Sequence, residues 1–439
     1  MYNNIPLPWL KEKKFLGIWL DPKLTLECHI NNVERNACKG LNVMRSLAGV
    51  YWGSDPKTLA MMYKTIVRSH FDYSTLAYIN ANISLLRKLD ILQNRALRII
   101  TGAMCSTPIN SMECESCIPP LLLRRIQIAE RFCLKLMSLN NNYTLNHILP
   151  PSYNLINSEP YMDCKQLMSG FSPTLLRICV FIKSVFVNMN ITDSWPMYSL
   201  SFSALIHPVN ISNKKILTQS DLHEFIGDNN DVYRIYTDGS KSSDGVTSAF
   251  YDPQLKISKC FQINDNCTIY TAECYAILKA LEYACNVNNC HIIILTDSQS
   301  ALLGLEKTCL KYNTSYILYE IKKMLYDMHI HGKVVQLQWV PSHNGIIGNE
   351  LADQATRGRA DGNHSNWMKT PYTDFRCTFT MALKSLYKEY WKTVSKEEGT
   401  WYADIQKAPP AQIWYNKLKQ YNRKCIVTII TLPDAQSLI

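Results

Sequence analysis

Four acidic side chains in the second half of the chain have the type and placement that metal-dependent hydrolysis requires. Asp238 and Asp297 each directly follow a predicted strand. Glu273 lies in the first turn of a predicted helix, and Asp353 lies on a later helix. Strand ends and helix starts of an α/β sheet converge on one edge, so the four carboxylates could share one site. The alternative interpretation is four unrelated surface acids.

Four clustered carboxylates are unfavourable without a cation, because like charges a few Å apart raise each other's pKa. All-oxygen ligands favour the hard cations Mg²⁺ or Mn²⁺. Two such ions about 4 Å apart can hold the attacking water and the leaving oxygen of a phosphodiester during an in-line displacement. The acids therefore predict a two-metal phosphodiester hydrolase.

The elements that would position these acids begin at residue 231. Three short strands separated by turns predict an antiparallel meander: Val232–Thr237, Val246–Tyr251 and Lys256–Ile263. Then come a helix over 271–286, a fully apolar strand at 291–296, helices from 298 and over 316–329, a strand at 334–340 and a helix over 349–357. This order predicts an α/β fold with buried parallel strands at its centre.

The net charge of the 439 residues is +10, and its distribution is uneven. Residues 1–150 carry +8 and residues 361–439 carry +4, whereas 151–230 and 231–360 carry −1 each. A basic excess favours a nucleic-acid partner, and we expect that the two ends of the chain contact its backbone.

The composition excludes several classes of protein. With 47% hydrophobic and 19% charged residues the chain is neither disordered nor a membrane bundle. The most apolar stretch, Leu175–Val187, is interrupted by Arg177 and Lys183, so we expect no membrane span. The start of the chain does not have the pattern of a signal peptide, and its 16 cysteines are scattered, so we expect an intracellular protein with reduced thiols.

Residues 15–137 have helical periodicity, with one helix opening at Asp55-Pro56 and another over 85–99. The second helix carries four basic residues that are either a solvated face or a surface that follows phosphates: Arg87, Lys88, Arg95 and Arg98. Residues 141–230 are rich in Asn, Ser and Pro and predict a linker with local helices. Cys114-Glu115-Ser116-Cys117 is a single pair of cysteines, which does not by itself indicate a zinc site.

Five motifs occur in the order Thr237-Asp238-Gly239-Ser240, Ala272-Glu273, Thr296-Asp297-Ser298, Trp339-Val340-Pro341-Ser342-His343 and Gly348-Asn349-Glu350-Leu351-Ala352-Asp353. Together they resemble the type 1 ribonuclease H domain. The resemblance implies a mixed five-stranded sheet with flanking helices at about 231–360. It also implies that two Mg²⁺ or Mn²⁺ ions, bound by the four acids, cleave the RNA strand of an RNA/DNA hybrid endonucleolytically.

The same resemblance assigns roles to other residues. His343, ten positions before Asp353, would move protons or assist product release. Gly239, Ser240 and Gln299 would contact the 2′-hydroxyls of the hybrid. The chain departs from the best-known members just before Glu273, where it has Ile269-Tyr270 and they have polar residues.

A second resemblance covers the amino-terminal part, over Lys14-Phe15-Leu16-Gly17-Ile18 to Leu24-Thr25, Leu47-Ala48-Gly49 with Trp52-Gly53, and residues 93–103. These segments are similar to the region after the palm in reverse transcriptases of insect-type non-LTR retrotransposons, which precedes a ribonuclease H domain. The palm's paired aspartates are absent, since Tyr402-Ala403-Asp404-Ile405 lacks the second acid. We therefore expect a carboxyl-terminal remnant of such an element that does not polymerise DNA, and the element type implies a nuclear location.

These observations predict four regions: a helical thumb-like remnant at 1–140, a linker at 141–230, a ribonuclease H domain at 231–360 and a basic helical tail at 361–439. The Tyr- and Trp-containing tail could follow a nucleic-acid strand or pack on the rest of the chain as an amphipathic helix. Two rival functions remain open. One is a catalytically silent nucleic-acid-binding remnant, and the other is a related exonuclease or integrase, which the absence of an Asp-x-Glu pair at Asp238 disfavours.

Overall fold

The computed structural model describes residues 10–49, 52–137, 204, 207–227, 231–307, 315–358, 370–413, 415 and 423–431. The chain divides into two units. Of the described residues, those within 10–133 and 379–431 form the first, here the helical unit, and those within 134–137 and 204–378 form the second, here the sheet unit. Most of the predicted linker, over 141–203, lies outside the described residues.

The amino-terminal part of the chain is mainly helical, as predicted. Its elements are β1 Lys13–Phe15, β2 Ile18–Leu20, α1 Glu27–Ser46, α2 Pro56–Met62, a π-helical turn Tyr63–Val67, α3 Arg68–Tyr73, α4 Thr75–Tyr78, α5 Ile83–Thr101, α6 Ile109–Ser116 and α7 Leu121–Met137. The Asp55 side chain caps α2 by accepting a hydrogen bond from the Thr58 amide at 3.0 Å. The helical prediction was wrong for residues 15–20, where β1 and β2 form an antiparallel hairpin. Leu16 and Gly17 both have positive φ, a backbone conformation that a two-residue hairpin turn requires.

The core of the helical unit comes from buried stripes on its two longest amino-terminal helices. On α1 and α5 these residues recur every three or four positions, which places them on one face: Ile30, Val33, Ala37, Leu41 and Met44, and Leu89, Leu92, Ala96, Leu97 and Ile100. Burial of these aliphatic side chains is the main source of stability for such a helical layer.

The carboxyl-terminal helices are α13 Phe375–Val394, α14 Thr400–Ile405 and α15 Arg423–Thr431. Trp391 is 1% exposed and packs on Cys114 and Tyr402. The Arg423 guanidinium donates to the carbonyls of Ile99 and Ile100 at 2.8 and 3.3 Å. This part of the tail therefore packs on the amino-terminal helices, and Trp391 is not available to stack on bases, whereas Trp401 is 51% exposed.

The sheet unit contains the predicted five-stranded mixed sheet. Its elements are α8 Gln219–Ile226, β3 Val232–Ser242, β4 Gly245–Asp252, β5 Ile257–Ile263, α9 Ile269–Ala284, β6 His291–Thr296, α10 Gln299–Glu306, α11 Tyr316–Ile330, β7 Val334–Trp339 and α12 Ile347–Arg357. The strand order is β5-β4-β3-β6-β7. β3 pairs with β4, and β4 with β5, in antiparallel orientation. β3 pairs with β6, and β6 with β7, in parallel orientation. The α/β prediction is confirmed.

Both faces of the sheet are covered, which explains why Ile292, Ile293, Ile294 and Leu295 of β6 are all apolar. Ile292 and Ile294 point to one face, where α9 and α11 complete the larger core. Ile293 and Leu295 point to the other face, where they meet residues of α8 and α12. A strand buried on both sides loses the polar alternation of a half-exposed strand. No helix in the described ranges is long and apolar enough to cross a membrane.

Candidate functional site

The parallel pairing of β3 with β6 places two of the predicted acids side by side. Thr237 of β3 pairs with Thr296, the last residue of β6, and Asp238 and Asp297 directly follow these two residues. The prediction that Asp238 ends its strand was wrong, since β3 continues to Ser242. β3 extends further because it pairs with β4 on one side as far as Ser242, whereas its pairing with β6 on the other side stops at Thr296.

Glu273 reaches the same place because β3 and α9 approach each other closely at Gly239. A Cβ atom at Gly239 would lie 2.5 Å from the amide nitrogen of Glu273, which is too close for any side chain. The helix begins at Ile269, two residues before the predicted start, and the Thr268 hydroxyl caps it by accepting from the Thr271 amide at 3.3 Å. Glu273 therefore lies in the second turn of α9 and not in the first.

Carboxylate oxygens of Asp238, Glu273 and Asp297 lie within 4.8 Å of one another. Asp238 is 7% exposed and Glu273 is 9% exposed, so water screens their charges poorly. Oε2 of Glu273 and Oδ1 of Asp297 are buried and have no hydrogen-bond partner within the described part of the chain. Buried polar atoms normally have a partner, and in catalytic or metal sites the partner is often an ion or water.

Asp238 and Glu273 are poor acids in the protein alone, because the pKa of each is raised. Burial, together with the charges of Asp297 and Asp353, raises the pKa of Asp238 to about 6. Burial raises the pKa of Glu273 to about 9, with further contributions from Asp297 and Asp238. Hydrogen bonds from the Gly239 backbone lower both pKa values but do not offset burial. A bound cation would reverse these shifts because it favours the charged carboxylates.

Two features of the cluster fit a divalent cation. Its donor atoms are all carboxylate oxygens, the ligands preferred by Mg²⁺ and Mn²⁺. Two of these oxygens, Oε2 of Glu273 and Oδ1 of Asp297, are buried and have no partner in the described part of the chain. Asp238, Glu273 and Asp297 are the residues that could hold such an ion.

Asp353 lies beside this group, on α12, but makes other contacts. Its Oδ2 accepts a hydrogen bond from Nη2 of Arg357 at 2.7 Å, one helical turn further along. Nδ1 of His343 lies 3.9 Å from the same oxygen, and the His343 side chain is 69% exposed. The structure thus places His343 and Asp353 together, next to the three converging acids.

Thr356 connects Asp353 to Asp238, and the sequence did not indicate this contact. Its hydroxyl lies 3.4 Å from Oδ2 of Asp238 and 2.7 Å from the carbonyl oxygen of Asp353. Thr356 is 3% exposed, and its own carbonyl accepts a hydrogen bond from Thr247 at 2.9 Å. Its position three residues after Asp353, one helical turn away, was the only sequence signal that could have indicated this contact.

The predicted hybrid-contacting residues differ in exposure. Gly239 is buried under α9, Ser240 is half-buried and Gln299 is exposed at the start of α10. The departure before Glu273 leaves Ile269 54% exposed at the start of α9, while Tyr270 packs partly buried on the larger core.

In the helical unit, Arg95 is exposed on α5, whereas the Arg98 guanidinium donates to the Cys105 carbonyl at 3.2 Å. The Lys88 ammonium donates to Oδ1 of Asn31 at 2.7 Å. Burial raises the pKa of the Cys114 thiol to about 12, so this thiol stays protonated and packs as an apolar group.

Comparison with known proteins agrees with the fold and with the acidic cluster. Residues 230–361 match the family model for RNase H. No curated protein matches the chain significantly. The matched range contains all five strands of the sheet and the four acids, from Asp238 to Asp353. Residues 230–361 are therefore an RNase H domain.

Proposed function

We propose that the protein hydrolyses the RNA strand of RNA/DNA hybrids endonucleolytically, with two Mg²⁺ or Mn²⁺ ions bound by its acids. The observation that carries this proposal is the convergence of Asp238, Glu273 and Asp297, with two buried carboxylate oxygens that have no partner among the described residues. The family match supports the same reaction class, since RNase H domains use divalent ions.

The ions would supply an activated water and charge neutralisation at the leaving oxygen. The protein's own residues position them and move protons. Gly239 permits the close packing that holds Glu273 against Asp238, and Thr356 fixes Asp238 relative to Asp353. His343 is exposed beside Asp353, and an imidazole there can accept a proton and release it to solvent.

A cleavage assay on a labelled RNA/DNA hybrid tests the proposal. With Mg²⁺ or Mn²⁺ we expect cleavage of the RNA strand only, and we expect Asp297→Asn to abolish it because the substitution removes a ligand charge. Asp244→Asn makes the same chemical change at an exposed residue outside the cluster and serves as the control. An intact hybrid with the wild-type protein, or equal cleavage by Asp297→Asn, would contradict the proposal.

A second candidate is a protein that binds nucleic acid without cleaving it. The basic excess of residues 1–150 favours binding irrespective of catalysis. Hybrid binding that persists while no metal-dependent cleavage occurs would support this candidate. Product lengths on a long hybrid distinguish the endonuclease from an exonuclease, because an exonuclease releases mononucleotides or short products from one end.

We further infer that the chain derives from a non-LTR retrotransposon, with its amino-terminal residues after a reverse-transcriptase palm. The support is the sequence resemblance of that part and its order relative to the RNase H domain. Genomic sequence upstream of the gene provides a test. A reading frame there that encodes a Tyr/Phe-x-Asp-Asp motif would support this origin, and unrelated coding sequence would contradict it.

A further inference from the structure

Residues 210–214 lie along the outer edge of the sheet, although they precede the segment that matches RNase H. The Ser212 amide donates to the Leu337 carbonyl at 2.9 Å, and the Leu337 amide donates to the Asn210 carbonyl at 2.9 Å. Nε2 of Gln338 donates to the Lys214 carbonyl at 3.0 Å. These hydrogen bonds pair the Leu337 backbone and the Gln338 side chain at the outer edge of β7. β7 is the strand that leads directly into the loop containing His343.

The next residues cover the face of the sheet opposite α9 and α11 and complete the smaller apolar cluster there. Ile216 is 1% exposed and Leu222 of α8 is also 1% exposed. They belong to the same apolar cluster as Val340 and Ile346, the residues on either side of the loop Ser342–Gly345. Without the upstream segment, these apolar side chains would face water, at a cost of about 25 cal/mol per Å².

Two hydrogen bonds attach the loop itself to the residues between these anchors. Nδ2 of Asn344 donates to the Leu217 carbonyl at 2.6 Å. The Ile347 amide, at the start of α12, donates to Oε1 of Gln219 at 3.2 Å. His343 has a φ of 52°, a left-handed backbone conformation that residues other than glycine adopt infrequently.

We propose that residues 210–219 act as a tether that positions the His343 loop, with Gln219 as the principal positioning residue. This rests on the proposed function, in which His343 acts beside Asp353. The strand before the loop, the apolar residues on either side of it and the Ile347 amide at the start of α12 all contact this one segment. The tether therefore limits the distance that His343 can move from Asp353.

Gln219 is only half-buried, so it can be replaced without disturbing the core. Gln219→Ala removes the acceptor for the Ile347 amide, while Gln219→Glu retains an acceptor oxygen at the same position. Glu224→Ala is a control on the same helix, at an exposed side chain. Asn344→Ala removes the second attachment and provides an independent variant.

Hydrogen exchange on the full chain is the first measurement. We expect Gln219→Ala and Asn344→Ala to accelerate amide exchange in residues 342–348 and to leave β6 unchanged. A faster exchange spread evenly over β6 and the loop, or no change in the loop, would overturn the tether. This measurement does not depend on catalysis, so it decides the inference even if the protein cleaves no hybrid.

Steady-state cleavage of the hybrid is the second measurement. We expect Gln219→Ala to lower kcat by about twofold to tenfold, the range of one neutral hydrogen bond, with KM unchanged. Gln219→Glu should restore kcat, and Glu224→Ala should not alter it. A rise in KM with kcat constant, or an equal effect of Glu224→Ala, would show that Gln219 does not position the catalytic loop.

Discussion

Replacing Glu273 with Gln should stabilise the metal-free protein at neutral pH while it abolishes cleavage. Glu273 has an ordinary pKa of 4.5, which the folded protein raises to about 9. Between these values the folded state binds a proton that the unfolded state has released. Stability of the wild type therefore falls as pH rises through this window, because stability increases with pH only where the unfolded state binds more protons. Gln does not ionise, so the stability of the Glu273→Gln variant does not fall in this pH range for this reason.

The size of the stabilisation follows from the pH range in which Glu273 is protonated in the folded state and ionised in the unfolded state. From pH 4.5 to pH 7 the wild type loses about 1.4 kcal/mol per pH unit, or about 3 kcal/mol in total. The difference in unfolding free energy between Glu273→Gln and wild type should thus be near zero at pH 4.5 and about 3 kcal/mol at pH 7. Mg²⁺ should reduce the difference, because binding to the ionised cluster stabilises the folded wild type more than the variant.

Hydrogen exchange of the β6 amides in increasing urea measures the unfolding free energy of the sheet unit separately from that of the helical unit. The experiment is done with a chelator at pH 4.5, 5.5, 7 and 8.5. Glu282→Gln makes the same substitution on the same helix, where the side chain is 42% exposed and pairs with Lys279 at 2.6 Å, so its effect should stay below about 1 kcal/mol. A Glu273→Gln effect that is independent of pH, or that is destabilising at pH 7, would refute the electrostatic reasoning.

Four further substitutions, one of them combined with a salt titration, test other parts of the structure. Gly239→Ala should destabilise the sheet unit by about 1–3 kcal/mol in urea unfolding, because its Cβ would meet the backbone of α9. Thr356→Val removes the hydroxyl that lowers the pKa of Asp238 and should raise the Mg²⁺ concentration for half-maximal cleavage by about twofold to tenfold. Arg423→Ala should destabilise the helical unit by about 2–4 kcal/mol in thermal or urea unfolding, because it leaves buried carbonyls unpaired. Hybrid binding should weaken with salt, and Arg95→Ala should reduce the slope of log K against log salt by about one; an unchanged slope would exclude a phosphate contact there.

The sequence by itself determined the order of the sheet's elements and the identity of its acids. The apolar run His291–Thr296 predicted a strand covered on both faces, and the acids directly after it and after Thr237 indicated a site at the strand ends. Amphipathic spacing likewise predicted α1 to α7 as a mainly helical region, since periodicity is a local property of the chain. The hairpin at 13–20 was missed because its turn depends on two positive φ angles and not on a periodic pattern.

Only the tertiary structure decided how closely the acids meet and what surrounds them. The approach of β3 to α9 at Gly239, the Thr356 hydroxyl between two acids, and the attachment of Gln219 to the His343 loop all join residues that are distant in sequence. The packing of Trp391 on Cys114 likewise joins residues that are distant in sequence. Such contacts have no periodic signature, because they depend on where whole helices and strands pack. The pKa values of Asp238 and Glu273 depend in turn on that packing, since burial and neighbouring charges shift them.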